Sequence, residues 1–280
     1  MRVLVTGGSG YLGTHLCRFF GADDYSRRSG RDLFSPADIQ MVADYDVVIH
    51  LAAHLDKRAE SADETFRTNA EGTRLVLAHT RPGAAFIYAS TKDVYGANAE
   101  GYAEVPESCS TAYSGQSPLE WSKLVGEQYV NYYAAARNLR ACVFRLSAVY
   151  ARPSEGNDPG FVTHYVESVK RGRPLRLPAQ GRPVRDLLHV EDFARACRAF
   201  IDSDLARGVY NLGGGRRNAL SLRAVAETVG RLIELRPVID ESADLPAPVP
   251  FNYVSDLTLA RAELGWEPRV GVEEGLRSLL

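Results

Sequence analysis

The apolar residues of this 280-residue chain fall into short runs separated by stripes at helical spacing. Val3, Leu4 and Val5 form an apolar triplet, the pattern of a strand buried on both faces. A glycine cluster ends it, and Leu12, Leu16, Phe19 and Phe20 then recur at helical spacing. Residues 23–30 read as a short second strand and its exit. Residues 46–53 give the clearest strand, apolar and closing on the small residues Ala52 and Ala53. A helix is expected over residues 63–80, a strand over 84–91 and a polar loop above a cleft over 96–116. Ser117, Pro118 and Glu120 combine a serine N-cap, a first-turn proline and a capping glutamate, so a helix should run from there to about Arg137. A strand over 139–149 completes the alternation, which predicts an α/β fold with a doubly wound, mostly parallel sheet.

The pattern changes after Tyr150. Pro153, Gly156, Pro159 and Gly160 punctuate a loop, and helices are expected over 161–171 and 189–201. A strand over 208–213, a helix over 220–235 and a proline-rich loop over 240–254 follow, and helices over 256–264 and 272–279 close the chain. The expected division is a Rossmann-type domain of residues 1–150 plus about 187–212, and a smaller C-terminal substrate lobe of 151–186 and 213–280. That lobe should cap the carboxyl edge of the sheet, where ligands of such folds bind.

Chemistry enters with the glycines. Gly8-x-Gly10-x-x-Gly13 and Gly7-x-x-Gly10-x-x-Gly13 both lie between a strand and a helix, so a pyrophosphate can rest on free N–H groups at the helix start. Gly7, Gly10, Tyr11, Leu12 and Gly13 are therefore expected to hold a dinucleotide, with Leu51, Ala52, Ala53, Ala89 and Leu146 at strand ends beside it. Ser26, Arg27 and Arg28 stand where an acidic residue would hold a ribose 2′-hydroxyl and an arginine a 2′-phosphate. This favours NADP(H), with NAD(H) possible should Asp23 or Asp24 occupy the deciding place; Asp32 and Leu33 are expected near the adenine.

Composition narrows the classes. With 33 basic and 35 acidic residues, a formal net charge of −2 gives no support for binding nucleic acid or a membrane surface. Four scattered cysteines suggest reduced core thiols, and His50 and His54 flank a strand end, so no metal is expected. The glycine fingerprint begins at residue 7, leaving no room for a signal peptide, and no apolar run is long enough to span a bilayer. A cytoplasmic enzyme with a small-molecule substrate is expected, monomer or homodimer. Trp121 and Trp266 read as packing residues, and Tyr129, Tyr132 and Tyr133 as core or dimer face.

Five ordered motifs carry a resemblance: Thr6-Gly-Gly-x-Gly-x-x-Gly13, Leu51-Ala-Ala53, Ser90-Thr-Lys-Asp-Val-Tyr-Gly96, Ser122-Lys123 and Arg185-Asp-Leu-Leu-His-Val190. With Ala260-x-x-Glu-Leu-Gly-Trp266, they make the chain resemble the extended short-chain dehydrogenase/reductases, in the NAD-dependent epimerase/dehydratase branch. Residues 53–61 are also similar to dTDP-4-dehydrorhamnose reductases. The resemblance implies an NAD(P) site and hydride transfer assisted by Ser/Thr, Tyr and Lys, the tyrosine four residues before the lysine. Thr91 matches the Ser/Thr and Lys123 the Lys, but Leu119 stands in the tyrosine's place and Tyr113 lies ten residues before Lys123.

Further departures follow. Lys92 and Asp93 replace the Asp-Glu of the dehydratases, and Ala148 and Ala151 replace a sugar-nucleotide asparagine and a glycine. Residues 244–250 are apolar after Asp244 where an Arg-Pro-Gly-Asp is usual, although Arg185 remains. The expectation drawn from these departures is an NADPH-dependent ketoreductase acting on a bulky, largely apolar natural product of aromatic polyketide type. In lacking the tyrosine it resembles the atypical ketoreductases of angucyclinone assembly, as in simocyclinone biosynthesis. Lys123 would hold the ribose and Thr91 the developing alkoxide, with the proton from water, Lys92, Lys123 or a substrate hydroxyl. Lys92, Asp93, Leu119, Ala148 and Arg185 would lie near the substrate. The alternatives are an NDP-sugar 4-ketoreductase or epimerase, and a non-catalytic NADP(H)-binding sensor.

Overall fold

The computed structural model describes residues 1–154, 156–157 and 160–280, so Pro159 of the expected loop lies outside the described residues. Strands β1 (Val3–Thr6), β2 (Asp23–Tyr25), β3 (Val47–His50), β4 (Ala85–Thr91), β5 (Arg140–Leu146) and β8 (Arg207–Leu212) form one sheet in the order β2-β1-β3-β4-β5-β8. Every neighbouring pair is parallel, and Thr6 aligns with both Tyr25 and His50.

Alternation along these strands divides the core in two. Val3, Val5, Ile49, Ile87, Cys142 and Phe144 face one layer, where Leu16 of α1 (Gly13–Phe20) and Phe193 and Phe200 of α7 (Val190–Asp202) pack on them. Leu4, Val48, Phe86, Tyr88 and Val143 face the other, against Val76 and Leu77 of α4 (Gly72–His79) and Val130 and Ala134 of α5 (Pro118–Ala136). Apolar side chains on both faces explain why the strands read as continuous runs. Helix α5 starts as expected: Ser117 Oγ accepts the Leu119 N–H at 3.3 Å, and Glu120 Oε2 accepts the Ser117 N–H at 2.7 Å.

Elements read from sequence differ in several places. The strand expected over 46–53 stops at His50, leaving Leu51, Ala52 and Ala53 as an open end. The helix expected over 63–80 is α3 (Ala62–Phe66) and α4 joined by a π turn, Arg67–Glu71. That turn points Asn69 inward, where it pairs with the backbone of His54 at 2.7 and 2.9 Å and donates to Ser122 Oγ at 2.9 Å. A short helix α2 (Pro36–Ile39), capped by Ser35, went unread because one turn carries no periodicity.

The strand expected over 139–149 breaks at Ser147. Its N–H donates to Leu212 O at 2.8 Å, and its hydroxyl turns to the buried Asp186. Beyond it, β6 (Ala148–Tyr150) joins β7 (Val184–His189) and β9 (Ala219–Ser221) in a second sheet, order β6-β7-β9. Helices α6 (Gly160–Lys170), α8 (Leu222–Ile233) and α10 (Val272–Arg277) bury Val166, Val225, Val229 and Leu276 over it. Helix α9 (Thr258–Leu264) returns to the main sheet, and Trp266 after it donates to Asp192 O at 3.0 Å as a packing residue. The four cysteines are free thiols, and no helix among the described residues is long and apolar enough to cross a membrane.

Candidate functional site

A cavity of about 950 Å³ opens along the carboxyl ends of β1 to β5. Its near end is the glycine turn. Gly7 has φ +71°, and its N–H donates to Tyr25 O at 2.9 Å while its carbonyl accepts the Gly10 N–H at 2.9 Å. A Cβ on Gly7 would meet Ala52 N at 2.9 Å, and one on Gly13 would lie 2.7 Å from Gly8 Cα and overlap the Gly7 carbonyl oxygen. Nothing larger than glycine fits there, so the backbone stays bare at the start of α1, as a pyrophosphate cradle requires. The residues present fit a dinucleotide.

The cavity wall brings together Gly7, Gly10, Tyr11, Leu12, Gly13, Ser26, Arg27, Arg28, Asp32, Leu33, Leu51, Ala52, Ala53, Ala89, Thr91, Leu119, Lys123 and Leu146. Neither competing acid reaches it. Asp23 accepts the Tyr45 hydroxyl at 2.7 Å. Asp24 is tucked beneath the turn, its Oδ1 only 2.5 Å from where a Gly8 Cβ would stand. Arg28 is engaged elsewhere, donating to Asn157 Oδ1 and Gly156 O, each at 2.7 Å, and to Ser9 O of the glycine turn at 3.3 Å. Arg27 makes no ion pair among the described residues and stays exposed at the cavity wall.

At the far end stand Thr91, Leu119 and Lys123. Thr91 closes β4, and Lys123 lies one turn beyond Leu119 on α5. The Lys123 ammonium donates to Ala89 O at 2.8 Å and lies 5.0 Å from the Tyr88 ring centre. Burial brings its pKa down to about 8, opposed by Glu127. Behind it, Glu127 accepts Arg145 Nε at 3.1 Å and Nη2 at 2.7 Å together with the Ser90 hydroxyl. Arg145 in turn donates to Tyr95 OH at 3.0 Å, which donates to Asn211 at 2.7 Å.

Leu119, four residues before Lys123, is 7% exposed. Tyr113 is 70% exposed and stacks on Trp121, outside the cavity wall. Tyr11 and Tyr25 line the cavity near the glycine turn, and their hydroxyls donate to Ala151 O and Asp32 O.

Four sequence-derived candidates lie off this wall. Ala148 pairs with Leu187 in the second sheet. Arg185 donates to Val184 O, Phe251 O and Pro250 O at 2.7 to 3.0 Å, so its guanidinium fastens the proline-rich segment. Lys92 pairs with Asp93, whose other oxygen meets Lys57 Nζ at 3.0 Å; Lys57 also lies 2.8 Å from Glu120 Oε1. Lys57 was not singled out from sequence, and Glu120 was read only as a cap. Residues 63–64 and 67–68 of the cavity wall, with Asn157, were missed as well, since no local pattern marks them. Glu127 carried a signal that went unused: it falls one helical turn after Lys123. No cluster of metal-ligating groups occurs among the described residues.

A six-stranded parallel sheet with a glycine turn, a dinucleotide-sized cavity and a buried lysine at its far end defines a nicotinamide-dinucleotide-dependent enzyme of the short-chain dehydrogenase/reductase superfamily. Residues 3–213 match the NAD dependent epimerase/dehydratase family, and the chain belongs to it. A dTDP-glucose 4,6-dehydratase of Mycobacterium tuberculosis is 28% identical, covering 100% of this chain and 92% of that protein. One of Streptomyces griseus is 32% identical over 85% of this chain and 71% of its own length. Among solved structures, MoeE5 in complex with UDP-glucuronic acid and NAD superposes with a TM-score of 0.84, at 26% identity over 99% of this chain and 97% of that one. The UDP-glucose 4-epimerase of Thermotoga maritima, with UDP-glucose, gives 0.81 at 25% identity over 100% and 97%.

These relatives overturn the expectation of a polyketide ketoreductase, since they are dehydratases and epimerases of nucleotide sugars. They give no support to a likeness with angucyclinone ketoreductases. The structure supplies the physical reason. The proline-rich segment that suggested an apolar substrate does not line the cavity, and Val249 within it is exposed. Asp244 and Leu245 instead line a separate pocket of about 210 Å³ with Gln180, Arg182 and Glu241. Thr91 and Leu119 on the wall are each followed in sequence by a member of a charged cluster, Lys92 and Glu120.

Proposed function

We propose that this chain acts on a nucleoside-diphosphate sugar, as an NAD(P)-dependent 4-ketoreductase or epimerase. The observation that carries the reading is the likeness along the whole chain, C-terminal lobe included, to MoeE5 with its bound nucleotide sugar. A cofactor-sized cavity alone would fit many chemistries. The charged cluster of Lys57, Lys92, Asp93 and Glu120 beside the cavity also suits a hydroxyl-rich ring better than an apolar one.

Gly7, Gly10 and Gly13 would hold the pyrophosphate, and Lys123 the nicotinamide ribose. Arg27, exposed at the wall while Asp23 and Asp24 are turned away, would take a 2′-phosphate, which favours NADP(H). A bound nicotinamide supplies or takes the hydride. Thr91 would donate a hydrogen bond to the sugar oxygen as it gains charge. Net dehydration is disfavoured, because a cation, Lys92, stands where the dehydratases that the chain resembles carry an acid.

The test is calorimetric titration of the protein with UDP-glucose, UDP-glucuronic acid and dTDP-glucose, with and without NADP⁺ or NAD⁺. Turnover is followed by absorbance of the reduced cofactor with a dTDP-4-keto sugar. Saturable binding of at least one nucleotide sugar is expected, tightened by cofactor. Failure of every nucleotide sugar to bind in either condition would defeat the proposal.

A further inference from the structure

Arginines Arg27, Arg28, Arg31 and Arg67 all line the cavity. Arg28 is bonded to the backbone of 156 and to Asn157, Arg31 pairs with Asp38 at 3.1 Å, and Arg27 stands just beyond β2. Arg67 has neither an ion pair nor a side-chain hydrogen bond among the described residues, and it is exposed. Its one close partner is a ring: the guanidinium lies over Phe34, 4.2 Å from the ring centre, and Phe34 is also on the wall.

Local structure puts this stack in place. Helix α3 gives way to the π turn at Arg67, and the acid one turn before it, Glu64, faces His54 at 3.9 Å instead. The segment carrying Phe34 is held firmly. Tyr25 OH donates to Asp32 O at 2.9 Å, Asp38 accepts the Asp32 N–H at 3.1 Å, and Asp32 Oδ1 accepts the Phe34 N–H at 2.9 Å. Behind it, Leu33 and Phe34 pack on the bare backbone of Gly72, where a Cβ would stand 3.2 Å from Leu33 and 3.8 Å from Phe34.

The position in the fold identifies what the stack faces. Strand β2 is the edge strand beside β1, so the segment after it bounds the end of the cavity away from Lys123. With the pyrophosphate on the glycine turn and the nicotinamide ribose at Lys123, the adenosine half of the dinucleotide falls at this end. We propose that Arg67, backed by Phe34, is the platform on which the adenine ring stacks. A guanidinium is planar and weakly hydrated, so with one face on Phe34 it offers the other as a flat cation to a purine. Phe34 also holds the long side chain in one arrangement before the cofactor arrives, which reduces the entropy lost on binding. A phosphate would be met by the N–H edge of an arginine instead, and Arg27 stands at the exit of β2 for that task. This role rests on the dinucleotide reading of the cavity and needs no nucleotide sugar.

The test is titration of the whole chain with NADPH and with NADH, followed by fluorescence of the reduced nicotinamide. Arg67→Met keeps the length of the side chain and removes its flat cation; since Arg67 is exposed, the urea midpoint should stay at the wild-type value. Its affinity for both cofactors should fall by the same factor, about 5- to 30-fold. Arg67→Lys keeps the charge without the planar face and should stay within about threefold of Arg67→Met. Phe34→Leu removes the backing and should weaken both cofactors by a smaller factor, about 2- to 5-fold. A loss confined to NADPH, or wild-type affinity in Arg67→Lys, overturns the inference and assigns Arg67 to the 2′-phosphate. Affinity of Arg67→Met within about twofold of wild type overturns it outright. Where NADH binds the wild type too weakly to titrate, Arg67→Lys decides. If neither cofactor binds the wild-type protein, the dinucleotide reading falls and this role with it, whatever the nucleotide sugars do.

Discussion

Removing the Glu127 carboxylate tests both the core and the site. The residue is 2% exposed in the middle of α5, and it is bonded through two of Arg145's nitrogens and through Ser90. Glu127→Ala leaves the Arg145 guanidinium, itself in a residue 8% exposed, with only the neutral Tyr95 OH at 3.0 Å and Glu107 O at 3.5 Å as hydrogen-bond partners among the described residues. Breaking a buried pair from one side costs roughly 3–5 kcal/mol, because the surviving charge stays desolvated. At about 2–4 °C per kcal/mol for a chain of this size, Tm should fall by roughly 6–20 °C. Glu127→Gln keeps the shape and one acceptor and should lie at the low end of that range. Losing the carboxylate also removes the group that holds up Lys123, so the Lys123 pKa should drop below its present value of about 8. The assay is urea unfolding followed by fluorescence of Trp121 and Trp266, extrapolated linearly. Glu127→Leu combined with Arg145→Met should be less destabilised than the sum of the single variants, since no lone charge remains. A cost under about 1 kcal/mol for Glu127→Ala, or strict additivity in the double variant, would refute the reasoning.

Two further outcomes follow from the cofactor half. Gly13→Ala should weaken NADPH binding at least about tenfold, because its Cβ overlaps the Gly7 carbonyl oxygen and forces the turn apart; fluorescence titration giving affinity within threefold of wild type would contradict this. His50 is buried between Thr6 Oγ1 at 2.6 Å and Thr73 Oγ1 at 2.9 Å, and burial, with Lys123 adding, lowers its pKa from 6.5 to about 3. Across that window the unfolded chain binds a proton that the folded one refuses, so this contribution to stability is present above pH 6.5 and is lost as pH falls towards 3, by about 1.4 kcal/mol per pH unit. Denaturant unfolding from pH 7 to pH 4 should show this slope in the wild type and lose about one proton's worth of it in His50→Gln; an unchanged slope would place the pH dependence elsewhere.

The cofactor half was legible because its signals are local. Gly7, Gly10 and Gly13 lie within one turn, and Leu51, Ala52 and Ala53 follow directly on a strand, so sequence spacing maps onto space. The strand-and-helix alternation also placed all six strands of the main sheet: β1, β3, β4 and β5 are buried along nearly their whole length, and β2 and β8 keep their places in the alternation although partly exposed. The second sheet escaped because β6 and β9 are three residues long and β7 was read only as a motif. The substrate side misled for a related reason. The proline-rich stretch from 244 to 250 has the composition of an apolar wall, but its position depends on Arg185, more than sixty residues upstream, binding the carbonyls of Pro250 and Phe251. Lys57 and Asp93 meet across thirty-six residues, a distance at which one sequence carries no information about partners.

Leu119 on α5 is compatible with an intact lysine site because the parts that hold Lys123 do not pass through position 119. The ammonium is fixed by a carbonyl of β4, and Glu127, one turn later, is fixed by Arg145 of β5 and Ser90 of β4. These anchors come from the sheet, so the residue at the first turn of the helix does not set the position of the lysine. The capping glutamate is anchored differently: Glu120 takes the Ser117 N–H with one oxygen and faces Lys57 with the other, which joins the start of α5 to the loop after β3 and to the exit of β4. A group that begins as a helix cap thereby becomes one end of the charged array containing Lys92.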